Sequence, residues 1–542
     1  MDSFIIVALA LGSLTVPACG DKGTSKARSC LDIRQFYSGK GFPLDGVPQS
    51  EISGEHLRIC PQGYTCCTSD MEDNLATLSR REMEVFLKET GRSLQISLSG
   101  HYKSFDDKWV EMESGSQRKT DETFTQTWGS VYTQNSQVFS DLYTDLRRYY
   151  RGANINLDEV INEFWTKLME KLFYQANKQY VIGILSEDYL ECVSKKIDTL
   201  RPFGDISHIM KMLVTRAFVA ARSFVQGLMV SGDVVRKVSQ VQLSPECMRA
   251  MMKMTYCPHC RGMPSARPCA NYCRNVMKGC LANQADLNTE WRHLAETMIE
   301  VAGSVDGPAG MDNIVLSLPS RISTAIFTMV YNMETINSKL FQACGNLQEG
   351  GTSSTGGSEM MRKGKVMLMN LLLSILSQVS AVTVRLTDMQ SHWVSLPGLL
   401  CSDRVATGTG AEDKCWNGMS RARYLPEVMG DGLASQINNP EVEIDITKPD
   451  ISIRQQIMQL KIMTHRLKNA LNGRDVDFQD TSEYFAHHSV CSPGPRISVP
   501  NTDRPRHNPP PPEKEGVKTS ANQNLPSINI YLLSLLILLL RR

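Results

Sequence analysis

The sequence predicts an all-α protein: an elongated helical core stapled by disulfides, followed by a disordered stalk. Three observations carry this prediction. No proline occurs between residues 62 and 200. Within that span apolar residues recur at helical spacing, as in Phe164, Trp165, Leu168, Leu172 and Phe173. Strand-like alternation is rare, and "EVEIDI" (residues 441–446) is its best example.

The elements follow in chain order. Residues 4–16 form an apolar run too short to span a bilayer, with Ala18 and Gly20 suited to a signal-peptidase site, so residues 1–20 read as a signal peptide. Residues 21–478 form the core. "TRAFVAARSFVQGLMV" (215–230) and "IRQQIMQLKIMTHRLKNALNG" (453–473) read as further helices, the second closing on a glycine stop signal. "CGNLQEGGTSSTGGSEMMRKGK" interrupts the core with a flexible Gly/Ser/Thr-rich loop, residues 345–365. From 479 to 520 the periodicity stops, and "RPRHNPPPPEKEGVK" supports only an extended stalk.

The chain closes on "INIYLLSLLILLLRR", whose apolar part has thirteen residues, against about 20 for a membrane-spanning helix. A short greasy tail behind a polar spacer and small residues is the pattern of a glycosylphosphatidylinositol (GPI) signal. Ser520 is the expected anchor residue, with Asn522 and Gly516 as alternatives, and residues 521–542 are expected to be removed. Both termini thus direct the protein to the outer leaflet of a plasma membrane, from which it can also be shed.

With 58 basic and 57 acidic residues the chain has no charge field to attract nucleic acid. Its densest basic cluster, Arg147-Arg148-Tyr149-Tyr150-Arg151, reads as a solvated helix face. No G-x-S-x-G, H-E-x-x-H or phosphate-binding glycine loop occurs, so no enzymatic activity, catalytic residue or cofactor is expected. His487-His488 in the stalk reads as polar linker rather than a metal site.

The cysteines give the sharpest question. Sixteen are present, and Cys19 leaves with the signal peptide. "YCPHCRGMPSARPCANYCRNVMKGC" (256–280) packs five of them together. A thiol oxidoreductase would use Cys257 and Cys260, but needs a strand entering that C-x-x-C and a helix leaving it; the preceding "CMRAMMKMTY" is Met-rich with helical spacing. A zinc site would use Cys257, Cys260, Cys269 and Cys273, with a spacer shorter than usual for paired knuckles. The oxidising exterior favours disulfides to cysteines elsewhere in the chain, whose connectivity spacing alone does not fix.

The run Cys257, Cys260, Gly262, Pro268, Cys269, Tyr272, Cys273, Val276, Gly279, Cys280 resembles the glypican signature. "GEHLRICPQGYTCC", "RPFGD", "TRAFVAARSFVQGL", "KGCLANQADLNTEW", "CWNGMSRARYLPEVMGDGLASQINNPEVEIDITKPD" and "GRDVDFQD" resemble glypican segments too, so the likeness covers most of residues 29–480. It implies seven disulfides: Cys30–Cys66, Cys60–Cys257, Cys67–Cys260, Cys192–Cys344, Cys247–Cys280, Cys269–Cys415 and Cys273–Cys401. Cys491 stays unpaired in the stalk. It also implies a GPI-anchored heparan sulfate proteoglycan, with a monomeric core, that serves as co-receptor for heparin-binding growth factors and morphogens: Wnt, fibroblast growth factor, Hedgehog and bone morphogenetic proteins.

One departure bears on that function. Heparan sulfate attaches at Ser-Gly in an accessible stalk, and the family carries such repeats just after its "DVDFQD" segment. Here "TSEYFAHHSVCSPGPRISVP" has none. Ser-Gly occurs at Ser38, Ser53, Ser99, Ser114 and Ser231, and of these Ser114, in "EMESGSQ", has the best acidic flank. A core that lacks sugar chains and binds protein or lipid directly is therefore the second reading.

Overall fold

The computed structural model describes residues 29–181, 185–304, 310–347, 381–407 and 414–475. The chain divides into two units, Met1–Ser482 and Glu483–Arg542, and every described residue belongs to the first. The expected signal peptide, most of the 345–365 loop, the stalk and the anchor signal lie outside the described residues, as do Cys19, His487, His488, Cys491, Gly516, Ser520 and Asn522.

Helices dominate. A short α1 (Leu31–Gly39) precedes the hairpin β1 (Ile52–Ser53) and β2 (Tyr64–Thr65), and then α2 runs from Ser69 to Trp128. Next come α3 (Ser130–Tyr150), α4 (Leu157–Asn177), α5 (Glu187–Ser194), α6 (Ile197–Leu200) and α7 (Ile206–Val238). The cysteine-rich stretch forms α8 (Pro245–Thr255), α9 (Cys257–Cys260), α10 (Ala270–Cys280) and α11 (Ala282–Asp286). The rest is α12 (Asn288–Gly303), α13 (Met311–Tyr331), α14 (Met333–Cys344), a helical stretch at 381–388, α15 (His392–Leu400) and α16 (Ile451–Leu471).

The 60 residues of α2 extend about 90 Å at 1.5 Å per residue. Its start is fixed by Thr68, whose hydroxyl accepts the Met71 N–H, with Asp70 and Glu72 in the first turn facing the positive end of the helix dipole. Met71, Leu75, Met83, Leu87, Leu94 and Leu98 bury one stripe of it. Gly91 lies in that stripe because the Ser239 side chain occupies the space a β-carbon would need.

The centre is built around α7, against which α2, α13 and α16 pack, with α2 and α13 also on each other. Both α7 and α13 are apolar and long enough to cross a membrane by composition. In the fold their apolar residues, Phe218, Phe224, Leu228 and Val235 on α7 and Ile314, Leu318, Ile322 and Met329 on α13, are buried against protein.

The most strand-like run of the sequence, residues 441–446, forms no strand. Within it Val442 is buried and Glu443 exposed, while Glu441 is half-buried and accepts the Tyr424 hydroxyl at 3.0 Å, and no neighbouring segment offers a ladder. Asn439 takes the N–H groups of Glu441 and Val442 on its own Oδ1, at 2.8 and 3.1 Å, and that local bonding replaces a sheet.

Candidate functional site

The cysteine-rich segment is where chemistry was possible, and its geometry decides what it does. Helix α8 begins with Ser244 capping Cys247 N–H and Pro245 in the first turn. It ends at Tyr256, and Cys257-Pro258-His259-Cys260 makes one further turn, α9. All four of its residues are buried.

Neither α9 cysteine bonds to the other. Cys257 is joined to Cys60 and Cys260 to Cys67, across sequence separations of 197 and 193 residues. Cys30 is joined to Cys66, which carries α1 onto the same place. The backbone follows the bridges: Cys66 N–H donates to the Cys260 carbonyl at 2.7 Å, and Thr65 Oγ1 donates to the same oxygen at 3.1 Å. On the other side of the segment, Cys247–Cys280, Cys269–Cys415 and Cys273–Cys401 tie α8, α10 and the segments 401–407 and 414–423 together. Cys192–Cys344 stands apart and links α5 to α14.

No thiolate is left at Cys257, Cys260, Cys269 or Cys273 to attack a disulfide or hold zinc, since each is bonded to a distant partner. Among the described residues no group of three or more His, Cys, Asp or Glu side chains converges to hold a metal ion.

Two positioning residues escaped the sequence reading. Glu72 is buried, and its carboxylate accepts the N–H groups of Arg58, Ile59 and Cys60 at 2.8, 2.9 and 2.7 Å. It thereby orients the loop that presents Cys60. Asn275, also buried, donates to the Glu427 carbonyl and the Tyr424 hydroxyl and accepts from Met429 N–H. It thereby seats the loop around Tyr424. An acidic residue in a first helical turn and an asparagine among cysteines are ordinary local signals, and neither reveals its distant partner.

His259 is the titratable group of the cluster. It is 8% exposed, stacked on Phe36 of α1 at 4.2 Å, and its Nδ1 has no hydrogen-bond partner. Burial, with a smaller contribution from the Lys40 charge, lowers its pKa to about 4. The unfolded chain, with histidine near 6.5, therefore binds the proton first on acidification. The contribution of neutral His259 is complete above pH 6.5, is lost between pH 6.5 and 4, and levels off below that. A pKa fall of that size corresponds to about 3 kcal/mol. A His259→Phe variant is expected to lose less stability than the parent between pH 7 and pH 4.5, read as the urea midpoint at each pH.

The Ser-Gly serines occupy regular structure. Ser38 lies in α1, Ser53 in β1, and Ser99 and Ser114 in α2, all exposed. Ser231 is buried in α7 and donates to the Gly227 carbonyl at 2.8 Å. The basic cluster at the end of α3 is largely neutralised: Arg147 pairs with Glu113, Arg148 with Asp145 and Arg151 with Asp106. The interior between α7, α13 and α16 holds a cavity of about 10 Å³ lined by Ala217, Ala220, Met311, Ile314, Ala470 and Leu471, room for one water.

Comparison with known proteins places these features. The Glypican family model matches residues 10–541. Glypican-1 of Gallus gallus is 51% identical over 532 residues, covering 96% of this chain and 96% of the relative. Glypican-1 of Homo sapiens is 52% identical over 476 residues, covering 88% and 84%. Among solved structures, C-terminally truncated glypican-1 superposes with a TM-score of 0.75 at 51% identity, over 83% of this chain and 100% of that one. Dally-like protein in complex with O-palmitoleoyl serine superposes with a TM-score of 0.66 at 29% identity, over 83% and 100%.

Proposed function

This chain belongs to the glypican family of cell-surface heparan sulfate proteoglycan cores, and we propose that it acts as a GPI-anchored co-receptor for growth factors and morphogens. The observation that carries the reading is the core itself: seven disulfides fix a helical body, and the cavity between α7, α13 and α16 has room for one water. Such a body suits a rigid carrier better than a catalyst. Sulfated chains attached to it would concentrate proteins with Lys/Arg-rich surfaces, among them Wnt, fibroblast growth factor, Hedgehog and bone morphogenetic proteins. Long-range attraction raises encounter rates, and a shared membrane raises effective concentration without new contacts.

In this reading residues 1–20 are cleaved, 21–478 form the monomeric core, 479–520 form the stalk, and lipid is attached at Ser520 or at its neighbours Asn522 or Gly516. Ser114 is the candidate glycan acceptor. It is exposed, but it sits inside α2, where a transferase would have to act on helical backbone. Heparinase digestion of the protein from expressing cells is expected to sharpen and lower its band on a gel, and Ser114→Ala to abolish that shift. An unchanged band in the parent would sink the proteoglycan reading.

The second reading is a chain-free core that binds protein or lipid. It is favoured by the absence of Ser-Gly in 481–500 and by the relative solved with O-palmitoleoyl serine. Pockets for ligands of drug size run to about 300 Å³ or more, so an acyl chain would have to part α7, α13 and α16 to enter between them.

A further inference from the structure

Four short segments lie side by side next to the start of α10. Thr407 pairs with Cys269, Pro268 with Trp416, and Trp416 with Arg421. Thr407 N–H donates to the Pro268 carbonyl at 2.9 Å, Trp416 N–H to the Arg267 carbonyl at 2.7 Å, and Cys269 N–H to the Trp416 carbonyl at 2.9 Å. Cys269–Cys415 joins two of the segments covalently, and Cys273–Cys401 pins a third to α10. Trp416, fully buried, donates its Nε1–H to the Lys253 carbonyl at 2.9 Å. At about 4.8 Å between neighbouring strands the four segments span about 14 Å.

This fixed patch carries charge of one sign. Residues 266–269, 401–407 and 414–423 hold Arg267, Arg404, Lys414, Arg421 and Arg423, all exposed, against the single carboxylate of Asp403. Glu412 and Asp413, which precede Lys414 and lie outside the described residues, leave the balance at five to three. The chain as a whole is balanced, with 58 basic and 57 acidic residues, so the patch is a local positive field. Two of its arginines are held without being neutralised. Arg421 Nε donates to the Lys414 carbonyl at 2.8 Å, and Arg267 Nη1 to the Asp403 carbonyl at 3.1 Å. A carbonyl orients the guanidinium and leaves its full charge and its remaining N–H groups for a ligand. Arg147, Arg148 and Arg151 at the end of α3 differ, since each holds a carboxylate. Among the described residues no carboxylate stands within ion-pair distance of Arg267, Arg404, Lys414 or Arg421.

We propose that Arg267, Arg404, Lys414 and Arg421 form a docking surface for a linear sulfated glycan. Cations spread over about 14 Å suit an extended chain with anionic groups along its length, because a single small anion would engage only one or two of them. Guanidinium forks match tetrahedral oxyanions such as a sulfate ester. Proteins of this family are cell-surface proteoglycans, so chains of this chemistry stand beside the patch. The glycan need not be the protein's own: a core without Ser-Gly at 481–500 would take up here a sulfated chain borne by a neighbouring molecule. The surface is therefore independent of the heparinase shift above, which reads only a chain that this protein carries.

The test is calorimetric titration of the secreted full chain, freed of any glycan by heparinase, with a heparin-derived hexasaccharide at low and at physiological salt. Binding is expected, and is expected to weaken at the higher salt as screening and counterion release dictate. Arg267→Gln combined with Arg421→Gln is expected to weaken it about tenfold. Arg404→Gln with Lys414→Gln is expected to weaken it about fivefold. The second pair removes no hydrogen bond within the described residues, so it decides the matter should the first pair misfold. Arg148→Gln with Arg151→Gln, the same charge change at arginines that hold carboxylates, is expected to change binding less than about twofold. Desulfated heparin of the same length keeps its carboxylates and is expected to bind at least about tenfold more weakly. No binding at low salt, binding that ignores the patch variants, an equal loss in the α3 control, or equal binding of the desulfated chain overturns the surface. Tighter binding of phosphatidylserine vesicles than of the hexasaccharide also overturns it, and assigns the patch to a lipid headgroup.

Discussion

Replacing Cys60 and Cys257 by serine is expected to cost about 3 kcal/mol of stability, and removing Cys67 and Cys260 as well about 8 kcal/mol in total. The asymmetry follows from the near coincidence of the two bridges. They close loops of 197 and 193 residues over the same stretch of chain. With one gone, the other still holds the long loop closed. Only the small ring between the bridges is opened, worth about 3 kcal/mol by chain entropy. With both gone, the long loop opens too, adding about 5 kcal/mol. Urea unfolding under non-reducing conditions reads the difference. Equal losses for the first and second bridge would contradict this reading.

Glu72→Ala is expected to lose about 4 kcal/mol. Its carboxylate serves three backbone donors at once, and hydrogen bonds to a charged group contribute about 1.5–3 kcal/mol each, partly recovered when the loop relaxes toward water. Glu72→Gln keeps one acceptor oxygen for the Ile59 and Cys60 amides and is expected to lose about half as much. Glu55→Ala, at an exposed neighbour, is expected to change nothing. The denaturation midpoints and the yield of secreted protein report all three. A normal yield and midpoint for Glu72→Ala would show that the bridges alone position the Cys60 loop.

These effects also show what could be read from the sequence and what could not. Long helices were legible because propensity and spacing act within a few residues: the proline-free span became α2, α3 and α4, and the 453–473 run became most of α16. The alternation at 441–446 makes no strand because a strand also needs a neighbour for its backbone. Here Asn439 occupies those amides instead. Glu72 was invisible as a positioning residue because its three donors arrive from a loop twelve to fourteen residues away. The bond from Arg385 to Ser97 was equally hidden, since the two are 288 residues apart and neither carries a local motif.

The "CPHC" turn belongs to both classes. Its cysteines name a family through a long pattern, yet the short pattern C-x-x-C suggests redox chemistry that the fold does not support. What separates the two is where the sulfurs point. In this fold they reach back nearly two hundred residues to Cys60 and Cys67, and His259 between them packs under Phe36 of α1. The turn is an anchorage for the N-terminal segment.

Mass spectrometry of non-reduced peptides from the secreted protein tests that claim most directly. The expected result is Cys60 cross-linked to Cys257 and Cys67 to Cys260, with no thiol of the four open to alkylation. A Cys257–Cys260 bridge, or free thiols at those positions, would contradict it and return the turn to redox or metal chemistry.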